Sequence, residues 1–353
     1  MSRQPRVRIA CTCALLALVA PLVACSSGSD APGDALDAGP IGDDGVATDA
    51  PPIDGGGGDD AALDAVADAR SEVDGARPDG GVDAAGACIA GPMGPTGVLS
   101  AQSIDVKGTK RTYVLSIPSG ADATHPLPVV FAFHGDGGNG AGLRSYLALE
   151  APAKGGAIFV YPDGIDRSGA WWDIETAAAS NPDVQLFDAL HAFVAAHYCI
   201  DARRIYVTGF SRGGYFTNHL ACLRGDVLRA IAPQSGGGPY GGTYNGDGQL
   251  VCPTPSVPAM MIHGNADTTV PNDPSLTAPN GGWQSYRHWS YWNHPAPRSG
   301  YDYASDPIAP SPCFAAKGMP ADHPVIGCFI DGLGNAKWSG EADAVWGFFA
   351  GLK

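Results

Sequence analysis

The 353-residue sequence carries little charge. Lys, Arg, Asp and Glu make up 16 % of it, and cations are the scarcer sign, 21 against 36 acids, for a net charge of −15. It has no basic patch to neutralise a phosphate backbone, which excludes nucleic acid as a partner. No cysteines stand at C-x-x-C spacing with histidines to match, so a zinc site is not expected. No segment repeats at a fixed period, which excludes solenoids and propellers. EF-hand spacing is missing from the many aspartates, which argues against calcium. The apolar stretch from about Ile9 to Val23 is too short, and too closely followed by polar residues, for a transmembrane helix.

What is present is unevenly distributed. Arg3, Arg6 and Arg8 precede the apolar stretch, and residues 1–24 read as an export signal. The stretch ends in Leu22-Val23-Ala24-Cys25, which resembles the lipobox of bacterial lipoproteins, with Cys25 as the lipidation site. Ser26 behind it is similar to the outer-membrane pattern. Residues 25–87 then read as a disordered Asp/Gly/Ala/Pro-rich tether. Residues 26–87 hold 14 Asp and 1 Glu against 2 Arg, so like charges extend a Gly-rich chain. From Cys88 onward the net charge is only −5. The expectation is an exported protein, anchored to the outer membrane or held at the cell surface. It would touch membrane only through its lipid.

Residues 88–353 form the one segment able to build a large core. Six cysteines remain there, an even number that in an exported domain suggests up to three disulfides. Fifteen pairings are possible; Cys88–Cys199, Cys222–Cys252 and Cys313–Cys328 are expected. Residues 111–118 alternate like an edge strand. Residues 128–134, 157–162, 204–209, 228–233, 258–263 and 324–330 are continuous apolar runs, as in strands buried on both faces. Residues 184–198, 215–223 and 341–352 have helical spacing. Strands alternating with helices predict a mostly parallel sheet covered on both sides.

Gly209-Phe-Ser211-Arg-Gly213 follows such a strand and opens such a helix. That context gives G-x-S-x-G its meaning, because the sharp turn exposes the serine and aims the N–H of Arg212 at a developing oxyanion. His134-Gly-Asp136-Gly-Gly138 ends an earlier strand, where the N–H of Asp136 can supply a second donor. His263-Gly-Asn-Ala-Asp267 ends a later one, where an acid can orient an imidazole. His263 itself reads as a buttress of that turn.

Together these motifs resemble the secreted feruloyl esterase and polyhydroxyalkanoate depolymerase group of α/β-hydrolases. The resemblance also rests on the Asp183 helix before Cys199-Ile-Asp201 and on Trp346-Gly-Phe-Phe349, and it covers nearly all of 88–353. It implies an α/β-hydrolase fold with Ser211 as nucleophile, Asp267 as acid and no cofactor. The family's histidine belongs in a Gly-x-Gly-His turn after the last strand. Here that turn reads Gly332-Leu-Gly334-Asn335, and an amide cannot take the serine proton near neutral pH.

Another side chain would have to serve as the base. His323 lies at the wrong end of the last strand, His191 and His197 belong to a covering helix, and His219, about two turns beyond Ser211 on the helix that the serine opens, should point away. His288 and His294 sit in an aromatic-rich insertion, 283–303, that can fold over the site as a lid. Lys337 is a further candidate. Trp171, Trp172, Trp289 and Trp292 are candidates to bind an aromatic or sugar face. The expected function is extracellular ester hydrolysis on plant cell-wall polysaccharide by a monomeric serine esterase. The alternatives are a polyhydroxyalkanoate depolymerase-like esterase and a degenerate hydrolase serving as a non-catalytic surface binding lipoprotein.

Overall fold

The computed structural model describes Cys88, 93–165, 171–240, 244–276, 280–298, 300 and 302–352. These residues fall within one unit, Ser71–Lys353. The export signal, Cys25 and the 25–87 tether lie outside the described residues.

The chain opens with two antiparallel strands, β1 (Gly97–Val106) and β2 (Thr109–Ile117). Lys107 and Gly108 both take positive φ between them, the geometry of a tight hairpin turn. Then follow β3 (Leu127–Phe133), α1 (Gly140–Leu147), α2 (Glu150–Ala153), β4 (Ile158–Pro162), α3 (Pro182–His197), β5 (Ile200–Phe210), α4 (Arg212–Arg224), β6 (Ala230–Gln234) and β7 (Ala259–Gly264). Between β7 and the last strand lie α5 (Gly282–Asn293), β8 (Ser305–Pro307) and β9 (Cys313–Ala316), and β10 (Val325–Ile330) and α6 (Glu341–Gly351) close the chain.

The strands form a single sheet in the order β1-β2-β4-β3-β5-β6-β7-β10-β9-β8. The six strands from β4 to β10 in that order are parallel. Alternate residues of a strand point to opposite faces, and the core divides accordingly. Phe131 and Phe133 of β3 join Phe187 of α3, Phe216 of α4 and Trp289 of α5 on one face. Val130 and Ala132 join residues of α1, α2 and α6 on the other. Each large side chain so buried contributes about 1.5–3 kcal/mol. The disulfides are Cys88–Cys199, Cys222–Cys252 and Cys313–Cys328. The last pair are direct cross-strand partners on β9 and β10.

Two expectations need correcting. Residues 111–118 are not an edge strand, because β1 covers them. β1 itself leaves most of its side chains exposed or half-buried and so gives no apolar signal. The insertion is not a lid. Its helix α5 packs on β7 and β10, with Tyr286 and Trp289 in the core.

Candidate active site

Ser211 stands where β5 turns into α4, its backbone held at φ 52° and ψ −117°. This conformation is strained for any residue with a side chain. The turn is tied down on both sides. The Ser211 N–H donates to the Gln234 carbonyl (2.9 Å), and the N–H groups of Gly214 and Tyr215 donate to the Ser211 carbonyl at 2.8 and 3.1 Å. Gly213 is required by close approach, since a Cβ there would overlap the Phe133 carbonyl oxygen at the end of β3. The same crowding sets the β3 loop against the serine. A Cβ at Gly135 would lie 3.2 Å from Ser211 Cβ. At the first position of α4 the Arg212 N–H has no intrahelical acceptor, and the positive end of the helix lies beside Ser211.

His134 holds the glycine loop in place. Its Nδ1 donates to the Gly135 carbonyl (2.7 Å) and its Nε2 accepts from the Gly164 N–H (2.9 Å), partners that assign the tautomer. Burial lowers its pKa, so the ring stays neutral. The Trp172 indole donates to the His134 carbonyl at 2.7 Å. Gly138 N–H closes a turn on the Gly135 carbonyl (3.0 Å), with Asp136 exposed at its corner.

Asp267 is fully engaged. Its Oδ1 accepts from the N–H groups of Thr269 and Val270, both at 2.9 Å. Its Oδ2 accepts from Asn335 Nδ2 at 2.8 Å and lies 3.2 Å from His263 Nε2. Burial pushes the carboxyl up, but hydrogen bonds from His263, Val270 and Asn335 outweigh it and hold the group below the usual range. The acid is therefore ionised at neutral pH. His263 also reaches the Val270 carbonyl (2.9 Å), bracing the turn from below.

The loop carrying Asn335 is fastened from both ends. The Ala266 N–H donates to the Leu333 carbonyl at 2.9 Å. The Lys337 N–H donates to the Tyr146 hydroxyl (2.6 Å), and its ammonium donates to the carbonyls of Tyr146 and Leu147 at 2.9 and 2.8 Å. The Tyr146 ring meets Phe210 edge-on, centroids 5.1 Å apart, and so joins this loop to the neighbour of Ser211.

No imidazole stands ready for Ser211. Among the described residues, which include all nine histidines, none hydrogen-bonds its hydroxyl. His288 and His294 are corrected as surrogate bases. α5 begins with Gly282 against the His263 ring and runs away from it. His294, twelve residues on, is about 18 Å along the axis, where it stacks on Tyr303. His288 is buried with its ring edge against Tyr244, and burial pushes its pKa down to about 4. Lys337 is spent on the end of α1. Trp172 and Trp289 are completely buried, their indoles committed to the His134 carbonyl and to Asn218 (2.8 Å), so neither offers a face to a ligand. Trp292 is half-buried near the far end of α5, beneath Arg298.

Trp171 packs against Arg212, the residue that follows the serine. The Arg212 guanidinium sits over its ring, 3.9 Å from the centroid. Across the helix start, Tyr215 stacks on Tyr240 at 5.4 Å, and the Tyr240 hydroxyl meets Asn280. Burial raises the pKa of both phenols. The sequence reading missed this pair, although Tyr215 lies one turn after Ser211 on the same face of α4, a signal that spacing alone carries. A cleft of about 470 Å³ opens on the other side of Asp267, bounded by Asn272, Asp273 and Trp283. Among the described residues no cluster of His, Cys, Asp and Glu is arranged to hold a metal.

No protein-family profile matches the chain. It is similar to feruloyl esterase C of Emericella nidulans, 35 % identical over 176 residues, covering 48 % of this chain and 60 % of that protein. It is also similar to a probable feruloyl esterase C of Aspergillus niger, 33 % identical over 169 residues, covering 46 % of this chain and 57 % of that protein. The chain thus spans about 60 % of the length of the curated relatives it matches. Among solved structures, an acetyl xylan esterase from Aspergillus awamori superposes with a TM-score of 0.51 at 19 % identity, over 71 % of this chain and all of that one. With its parallel sheet flanked by helices and this superposition, the chain has the α/β-hydrolase fold.

Proposed function

We propose that this chain is an exported hydrolase of carboxylic esters, acting on aryl-acid esters of the plant cell wall with Ser211 as nucleophile. The single observation that carries the reading is the strained Ser211 turn packed against Gly135, with a helix start beside it. The names of the similar proteins supply the substrate class, and three disulfides favour an oxidising compartment. The N–H groups of Arg212 and Asp136 hold the oxyanion as Ser211 Oγ bonds to the ester carbonyl carbon. The hydroxyl proton leaves to water, because Asn335 offers Asp267 an amide and Ser211 no base. The alcohol then departs, and water cleaves the acyl-enzyme.

Turnover in this scheme is slow. Loss of a triad member costs ~10⁴–10⁶ in rate, while the oxyanion contacts and binding retain ~10³–10⁴ over water. The Asn335 amide also favours a second reading, a binding protein on a hydrolase scaffold. Hydrolysis of p-nitrophenyl acetate and methyl ferulate separates the two. The full chain is expected to exceed Ser211→Ala by about tenfold or more, with an acetyl adduct on Ser211 visible by intact mass. Equal rates and no adduct would leave only the binding reading.

A further inference from the structure

Among the described residues no acid neutralises Arg212, the residue that follows Ser211. Its Nε donates to the Trp172 carbonyl at 3.1 Å, and its plane rests on Trp171. Its Nη2 is enclosed yet has no acceptor. Among the described residues it forms no ion pair, whereas Arg111, Arg144, Arg204 and Arg224 all do. The residue as a whole is half-buried, as is the neighbouring Ser211. The ring below fixes its plane, and a planar fork of donors fits a carboxylate with two parallel hydrogen bonds. A desolvated guanidinium edge without an acceptor is costly to fold, and an anionic group is the acceptor it lacks. Trp171 lies under the guanidinium, and one turn along α4 Tyr215 stacks on Tyr240.

We infer that Arg212, seated on Trp171, forms an anion subsite that selects esters bearing a carboxylate close to the scissile bond. The inference rests on the proposed ester chemistry for its meaning, but not for its test. The carboxylate can belong to the acyl group or to the alcohol, so two pairs of esters tell these sources apart. Mono-p-nitrophenyl succinate against p-nitrophenyl butyrate probes the acyl side. 4-Carboxyphenyl acetate against its methyl ester probes the alcohol side.

In the full chain, kcat/KM is expected to favour the anionic member of one pair by about tenfold. Arg212→Gln is expected to erase that preference and Arg212→Lys, which keeps the charge without the fork, to retain part of it. Circular dichroism of both variants shows whether they are folded. A binding arm is independent of turnover: in Ser211→Ala, benzoate is expected to bind about tenfold tighter than benzamide by titration calorimetry, and adding Arg212→Gln is expected to remove the difference. If no ester is turned over but benzoate binding depends on Arg212, the subsite stands and the proposed function falls. If wild type and Arg212→Lys show no preference for the anion in either arm, or if Arg212→Gln leaves the preference intact, the subsite is overturned.

Discussion

Asn335 donates its side-chain amide to Asp267 at 2.8 Å, so the acid of this site already holds a hydrogen-bond donor in the place where an imidazole N–H would stand. The carboxylate is satisfied, and in the proposed mechanism a relay from acid to serine would end there. An amide matches imidazole as a donor to Asp267 but offers no basic nitrogen on its far side.

Asn335→His is therefore expected to build a base where the acid waits. On p-nitrophenyl acetate, kcat/KM should rise by ~10²–10⁴. Its pH profile should climb through about 6.5, the ordinary range of a histidine. Adding Asp267→Asn should remove most of the gain, because the tautomer would no longer be fixed. Stopped-flow release of p-nitrophenolate from pH 5 to 9 measures all three. A flat profile in Asn335→His would show that position 335 does not face the serine.

Gly213→Ala is expected to cost about 3 kcal/mol, because its new Cβ would overlap the carbonyl oxygen of Phe133 on the central strand. For a domain of this size the melting temperature should fall by about 6–12 °C. The serine turn should open with it, and Ser211 should lose its reaction with a fluorophosphonate. Calorimetry and intact mass report the two effects separately.

Glu341 supplies a pH dependence of stability. It is 1 % exposed at the start of α6, where its Oε2 accepts from the Trp338 N–H at 3.2 Å and its Oε1 has no partner. Burial pushes its pKa from the ordinary 4.5 up to about 8. The folded state thus holds a proton that the unfolded chain releases. That contribution is complete below pH 4.5 and is lost as pH rises through 8. Glu341→Gln should change the melting temperature little at pH 5 and raise it by about 10 °C at pH 8.5. An identical wild-type and variant pH dependence would refute the buried, neutral carboxyl.

The Cys222–Cys252 bridge closes a loop with a sequence separation of 30 residues, between α4 and the approach to β7. On the chain-entropy argument, replacing both cysteines by alanine should cost about 3–4 kcal/mol. Urea unfolding followed by fluorescence should show a lower midpoint with a similar slope.

The apolar runs were legible because strands covered on both faces have no polar alternation to blur them, and β3, β5, β7 and β10 each lie within a residue or so of their expected limits, apart from an early start of β5. β1 was not, since its side chains are mostly half-buried or exposed and its partner is set by a hairpin turn. α5 was missed for a different reason. Its face combines Tyr286, Trp289 and His288 with small and polar residues, and the aromatics suggested a ligand surface where they fill the core. The Ser211, Asp267 and Asn335 turns could be read from glycine spacing, because close backbone approach leaves a mark in the sequence. The commitment of Trp172 and Trp289 to buried hydrogen bonds could not, since it depends on partners 38 and 71 residues away.

The grip of Lys337 on Tyr146 and Leu147 means that the side chain at 335 does not hold its own loop in place. Codons for asparagine and histidine differ by a single base. On the proposed function, a base at this position is therefore one mutational step away, without rebuilding the scaffold around it.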